Sequence, residues 1–331
     1  MAKETEKRKS DHIRICLEKD VESSKANGFE RVELEHNALP DINLSEIDIS
    51  TKFLGKAFMA PLMIEAITGG SPEGEKINKN LAAAAEDLGI GMGVGSQRAA
   101  LENKALVRTF DVRGVAPTIF LLGNMGAAQL LKYGPARFKD AVEMIEADGL
   151  AVHLNAAQEL SQPEGDRDWK GIFEKLKELS SSLGYPIIAK ETGCGISGKV
   201  ARLLEAAGVA AIDVGGAGGT SWPKVESYRG GISTFSEWGI PTAVSLRECR
   251  NAVRLPLIAS GGIRTGLDVA KALAMGASLA GMALPLLKPA TQSKEEVKKC
   301  LEGIIEGLKK TMMLVGAKDL ESLRKTNYRF S

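Results

Sequence analysis

The segment PLIASGGIRTGLDVAKALAMG (256–276) reads as a buried strand, a glycine turn and a helix in immediate succession. PLIAS (256–260) is an unbroken apolar run of strand length, the pattern of a parallel sheet covered on both faces. In TGLDVAKALAMG (265–276), Leu267, Ala270, Leu273 and Ala274 recur at helical spacing, which predicts that they share the buried face. Thr265 and Asp268 have the spacing of a capping box, and Gly276 stands where a left-handed residue ends a helix.

Outward from this segment the same unit repeats. Apolar runs occur at PLMIEAI (61–67), IGMGVG (90–95), TIFLL (118–122), GLAVHL (149–154), PIIAKE (186–191), AAIDVGG (210–216) and SLAGMAL (278–284), most of them bounded by glycine or proline. Helical patterns fall near 74–88, 126–147, 168–183, 197–207, 241–253 and 294–315. Eight alternations of strand and helix define an α/β chain and predict a closed (β/α)8 TIM barrel. A chain of 331 residues, 44% hydrophobic, is long enough for one such barrel. No short repeat or low-complexity linker divides it, so the expectation is one domain. Residues 1–59, a mixed and mostly polar lead-in, are expected to cap a barrel that occupies 60–331.

Composition excludes several classes. A net charge of +1 gives no reason to expect nucleic acid or an anionic membrane as partner. No apolar run is long enough to span a bilayer, and the charged start MAKETEKRKSDH does not read as a secretory signal, so a cytoplasmic protein is expected. Cys16, Cys194, Cys249 and Cys300 are far apart, which favours reduced thiols over a zinc site or a disulfide framework. With His12, His36 and His153 as the only histidines, a mechanism needing several imidazoles is nearly excluded.

In such barrels the chemistry sits at the C-terminal ends of the strands. SGGIR (260–264) and GMAL (281–284) lie at the ends of the last two runs. Their glycines let backbone approach an anion, and N–H groups at a helix start point toward it, so the pair predicts a phosphate cradle. ITGG (67–70), GVGSQR (93–98), GNMG (123–126) and GGAGGTS (215–221) add glycine at other strand ends, which suits a flat ligand such as a flavin. Lys190 would set a cation beside that ring. A salt bridge with Glu191 or a neighbour, and a Schiff-base role, are its alternatives. HLNAAQELSQPEGD (153–166) is the densest polar cluster, although a hydrophilic loop with a turn accounts for part of it. His153 and Asn155 share a strand face, and Glu159 is the candidate for a magnesium ion shared with phosphate oxygens. Arg8-Lys9-Ser10-Asp11-His12 reads either as a solvated tail or as a basic clamp folded over the mouth.

Taken in order, RKSDH, ITGG, MGVGSQR, GNMGA, HLNAAQELSQPEGD, KETGCGIS, GGTSW, SGGIRTGLD and GMALP make nearly the whole chain resemble the type II isopentenyl-diphosphate isomerases. HLNAAQE…QPEGD and GVGSQR are specific to that family, whereas SGGIR and GMAL are shared among FMN-binding barrels. The resemblance implies an enzyme that uses reduced FMN and Mg2+, with NADPH or NADH as reductant, on a small allylic or homoallylic diphosphate. It also implies a homotetramer or homo-octamer. FMN is then expected at Ile67, Thr68, Gly69, Ser96, Asn124, Lys190, Thr220, Gly261, Gly262, Ile263, Arg264, Ala283 and Leu284. Substrate is expected at Arg8, Lys9, His12, Ser96, Gln97, Arg98, His153, Asn155, Gln158, Trp222 and Glu226, and the metal at Glu159. His153, Gln158 and Lys190, beside the flavin N5, are the expected catalytic groups. The run Val214–Gly219 lacks the serine or polar residue that the family often carries there.

Two rival readings remain open. An FMN-dependent 2-hydroxy-acid dehydrogenase or oxidase needs a histidine base late in the barrel, and none follows His153. A non-catalytic flavin- or phosphate-binding barrel leaves HLNAAQE and the basic N-terminal motif without a purpose.

Overall fold

The structure, a computed structural model, describes residues 2–331, with side chains from Lys7 onward. Each apolar run becomes a parallel strand: β1 (Leu62–Ile64), β2 (Gly91–Gly93), β3 (Leu121–Gly126), β4 (Gly149–Leu154), β5 (Ile187–Glu191), β6 (Ala211–Asp213), β7 (Leu257–Ser260) and β8 (Leu279–Met282). Each pairs with the next, and β8 pairs with β1 to close the ring. The (β/α)8 expectation therefore holds. GNMG (123–126), expected at the strand end, is the C-terminal part of β3 itself, with Asn124 opposite Ala151 and Gly126 opposite His153. Ladder bonds to β4 outweigh the weak strand propensity of glycine.

The helix after β7 spans Gly266–Ala274 and carries the predicted capping box, and Gly276 beyond it has φ 98. Of its predicted face, Ala270, Leu273 and Ala274 are buried and only Leu267 is not. Val269 and Ala272 are buried as well, while Leu267 is 45% exposed. The helix lies against Lys294–Leu314 so closely that a Cβ on Gly266 would stand 2.1 Å from the Leu308 nitrogen, and Leu267 is left on the outside.

The N-terminal region is more ordered than a polar lead-in. Ala2–Glu18 is a helix that buries Ile13 and Ile15. Val32–Leu34 pairs antiparallel with Tyr328–Phe330 near the far end of the chain. Thr51–Phe53 and Lys56–Phe58 form a hairpin that turns at Leu54 (φ 47) and Gly55 (φ 86), the two left-handed residues that a tight hairpin requires. That hairpin presents Phe53 and Phe58 to Phe120, with ring centroids 5.7 and 5.9 Å away.

This aromatic plug decides which end of the barrel is dry. It packs on Met63, Leu122, Ala151, Ile188, Ala211, Ile258 and Leu279, one inward residue from each of seven strands. Because side chains alternate along a strand, the next inward positions are Glu65, Asn124, His153, Lys190, Asp213, Ser260 and Gly281. The interior thus changes from wholly apolar to polar within one pleat.

Candidate active site

The polar layer is the floor of a cavity at the C-terminal end of the barrel. Lys190 Nζ lies 2.6 Å from Asp213 Oδ2 and 2.9 Å from Glu65 Oε2. Ser260 Oγ donates to Asp213 Oδ1 at 2.5 Å. Burial opposes the Lys190 charge, but Asp213 and Glu65 outweigh it and hold the pKa above its ordinary value. The lysine is an ammonium held by the Asp213 carboxylate and the Glu65 carboxyl, which disfavours the Schiff-base alternative. Glu191 is not its partner. It faces the other way and its Oε2 accepts the N–H groups of Thr192, Gly193 and Cys194. Burial, reinforced by Asp213, raises Glu65 to about 8 despite Lys190.

Above this floor, burial and the cations Lys9, Lys190 and Arg98 push His153 down to about 3, so the imidazole is neutral. Its Nδ1 is 2.7 Å from Asn124 Oδ1. An amide oxygen only accepts, so the proton sits on Nδ1 and Nε2 remains an acceptor. The segment after β4, read in part as a loop, contains the short helix Ala156–Ser161. That turn gathers Asn155, Gln158, Glu159 and Gln162. Asn155 Nδ2 donates to Glu159 Oε1 at 3.1 Å, and Gln162 Nε2 and the Asp166 N–H donate to Glu159 Oε2 at 2.6 and 2.8 Å. Asn155 Oδ1 is buried and has no partner. One carboxylate with an unused lone pair beside an unpaired carbonyl fits a hard cation that completes its shell from phosphate and water.

Arg8, Lys9 and His12 project from the N-terminal helix into the same cavity, joined by Arg98 at the start of Arg98–Glu102. The Arg8 carboxylate neighbour is Glu164, at 3.9 Å. Arg98 reaches Glu102 at 3.5 Å, and its Nε has no hydrogen-bond partner. Burial, then Arg8 and Arg98, pushes Lys9 down to about 7. Three crowded cations with so little counter-charge make a receptor for an anion.

A second anion receptor is made of backbone. Gly261 (φ 104) and Gly262 (φ 73) turn the chain after β7. Among the described residues, the N–H groups of Gly261, Gly262, Ile263 and Ala283 find no acceptor. The helix Gly266–Ala274 does not help as expected, because its own cap fills its N-terminus: Arg264 N and Thr265 N both donate to Asp268 Oδ2. Leu284–Gln292 has no side-chain cap and leaves its start open. Arg264 borders the cavity, but its guanidinium is paired with Glu22. The glycine-lined wall and Thr68 Oγ1, buried without a partner, fit a flat ring with a phosphate tail such as FMN.

Of the other expected residues, Ile67, Ser96, Thr220, Trp222 and Leu284 border the cavity. Three do not. Gln97 is fully buried, with Oε1 accepting Asn124 N at 2.8 Å and Nε2 donating to Ala141 O at 2.7 Å, so it braces β3. Gly69 makes a turn in which a Cβ would sit 2.1 Å from the Phe110 ring. Glu226 lies behind the wall, fully buried, accepting from His12 Nε2 (3.0 Å), Gln158 Nε2 (2.9 Å) and Arg229 Nη1 (2.6 Å). Burial would raise its pKa, but those partners bring it down to about 2. It fixes His12 and Gln158 rather than meeting a ligand. The sequence reading missed Glu65 and Asp213 and took Ser260 only as part of the phosphate turn; the signal available was a carboxylate inside an apolar run, in PLMIEAI and AAIDVGG.

Comparison with known proteins agrees with this geometry. A family model described as FMN-dependent dehydrogenase matches residues 123–329. Among solved structures, an (S)-mandelate dehydrogenase superposes with a TM-score of 0.70 at 18% identity, covering 100% of this chain and 98% of that one. A flavocytochrome b2 variant with pyruvate bound gives 0.68 at 17% identity, covering 97% and 83%. At that identity they establish the fold alone. The chain is 51% identical to the isopentenyl-diphosphate delta-isomerase of Pyrococcus furiosus, over 96% of this chain and 85% of that protein. It is 49% identical to that of Methanosarcina barkeri, over 98% and 92%. With half its residues shared along almost its whole length, the chain belongs to the isopentenyl-diphosphate delta-isomerase family.

Proposed function

We propose that the chain interconverts isopentenyl diphosphate and dimethylallyl diphosphate, using FMN in its reduced form and Mg2+. The observation that carries this reading is one cavity with two unlike anion receptors: backbone N–H groups after β7 and β8, and the side-chain cations Arg8, Lys9 and Arg98. The first suits the phosphate of a flavin and the second a mobile diphosphate.

Moving a double bond by one carbon requires a proton to be added at one carbon and removed from another. Among the groups at the cavity, His153 is held neutral, Lys190 is held charged, and Glu226 is ionised behind the wall. Neither these side chains nor the Glu65 carboxyl, which burial holds at about 8, supplies a strong acid beside an alkene. Reduced FMN, when bound, supplies an electron-rich ring with an exchangeable proton at N5. Lys190, its charge balanced by Asp213, would offer the ring a fixed hydrogen-bond donor on the floor. Glu226 orients Gln158 and His12, and Asn124 orients His153, so each presents one fixed hydrogen-bonding group. Glu159 and Asn155 would hold Mg2+ on the diphosphate, while Arg8, Lys9 and Arg98 neutralise its charge. Positioning then carries much of the rate.

The same reading includes NADPH or NADH as the source of electrons and a cytoplasmic homotetramer or homo-octamer. Among the described residues, no helix is long and apolar enough to cross a membrane. The test is anaerobic incubation of the FMN-loaded protein with isopentenyl diphosphate after photoreduction and without NADPH. Dimethylallyl diphosphate should form, and substrate turnover without a flavin requirement would defeat the reading. A 2-hydroxy-acid dehydrogenase reading, which the FMN-dependent dehydrogenase match allows, lacks its late histidine base, since His153 is the last histidine in the chain and its Nδ1 is hydrogen-bonded to Asn124.

A further inference from the structure

The turn after β7 does not hold its own shape. Thr242 Oγ1, fully buried at the start of Thr242–Ala252, donates to Gly261 O at 2.6 Å. Asn27 Nδ2, from the N-terminal region, donates to Gly262 O at 2.7 Å. The other end of that amide is fixed too, because Asn27 Oδ1 accepts from Phe29 N at 2.9 Å in an Asx turn. Packing is close enough to demand glycine: a Cβ on Gly262 would stand 2.3 Å from Gly218 O, and one on Gly218 would stand 2.3 Å from Asn27 Cα.

A trans peptide points its C=O and its N–H in opposite directions. Holding Gly261 O therefore sets the direction of the Gly262 N–H, and holding Gly262 O sets that of the Ile263 N–H. Among the described residues these two N–H groups have no acceptor, and their residues border the cavity. The segment that carries Asn27 is itself tied down. Ser23 N donates to Gly219 O and Ser221 N donates to Val21 O, both at 2.9 Å, and Glu22 pairs with Arg264.

We infer that Asn27 and Thr242 are positioning residues of the cofactor's phosphate site: by gripping the carbonyls of Gly262 and Gly261 they aim the N–H groups of Ile263 and Gly262 at the phosphate. Residues 21–28 then form the outer wall of that site although they lie outside the barrel. This rests on the FMN reading above and adds a prediction of its own, that these two side chains govern the affinity contributed by the phosphate and not that contributed by the ring.

Riboflavin has the same ring without the phosphate, so it separates the two. Dissociation constants for FMN and riboflavin are measured by flavin fluorescence on the full chain and on Asn27→Asp, Thr242→Val and Thr242→Ser. Asn27→Asp keeps the shape but turns a donor toward Gly262 O into an acceptor. It and Thr242→Val should weaken FMN by about tenfold or more, the value of a lost buried hydrogen bond, and leave riboflavin within twofold. Thr242→Ser, which keeps the hydroxyl, should bind FMN like the parent. Equal losses for FMN and riboflavin, or unchanged FMN binding in Asn27→Asp, overturn the inference. If the parent binds neither flavin, the cofactor reading itself fails. Thermal melting of the flavin-free variants reports folding, and Asn27→Ala replaces Asn27→Asp if the latter does not fold.

Discussion

The two ends of the barrel interior are built from the same strands, two residues apart, and have opposite chemistry. At the lower level, Met63, Leu122, Ala151, Ile188, Ala211, Ile258 and Leu279 pack against Phe53, Phe58 and Phe120. At the upper level, Glu65, Asn124, His153, Lys190, Asp213, Ser260 and Gly281 occupy the equivalent positions. Below, the groups are dry and apolar. Above, Glu65 Oε1, Thr68 Oγ1 and Asn155 Oδ1 are buried without hydrogen-bond partners. Unpaired buried polar atoms cost stability, and these belong to residues that line the cavity, where a ligand can complete them. The lower layer supplies the packing that lets the upper layer remain incomplete.

The comparison breaks if stability and binding do not separate between the layers. Phe120→Ala, which opens a hole in the plug, should cost about 3–5 kcal/mol in denaturant unfolding and leave the KM for the diphosphate unchanged. A large rise in KM with little loss of stability would overturn the division. Arg98→Ala should do the reverse. Losing one charge-assisted contact at about 2 kcal/mol lowers kcat/KM roughly 30-fold, with little change in melting temperature and none in FMN affinity.

Two pH profiles sharpen the contrast. Lys9 is held near 7, and a bound diphosphate requires its charge. As pH rises above 7 the free protein loses that charge, so the diphosphate dissociation constant should climb by up to about tenfold per pH unit. Lys9→Arg should flatten the profile; a parallel rise in both proteins would remove Lys9 from the site. The smallest effect concerns Glu65, whose folded pKa of about 8 lies above its unfolded value. Its contribution to stability is full below the ordinary carboxylate range and is lost as pH rises through about 8. Unfolding free energies at pH 7 and 8 should therefore differ by roughly 1 kcal/mol more in the parent than in Glu65→Gln. Identical pH slopes would mean that the carboxyl is ionised throughout.

The apolar runs, the glycines at their ends and the Thr265–Asp268 cap were legible in the sequence, and all eight runs became barrel strands. These signals are local: a buried strand, a left-handed glycine and a capping box each depend on residues within a few positions of one another. Closure of the ring decided the rest. It made Leu267 an exposed residue, turned Gln97 into a brace for β3, and set Glu226 behind the wall. It brought Asn27 to Gly262 and Lys190 to Glu65, contacts across more than a hundred residues of chain. No periodicity encodes such pairs, because which side chains meet depends on the order and register in which distant strands close. Sequence alone therefore determined the barrel, the end that carries chemistry and most of the residues there. Only the tertiary structure decided which of them border the cavity and which hold the others in place.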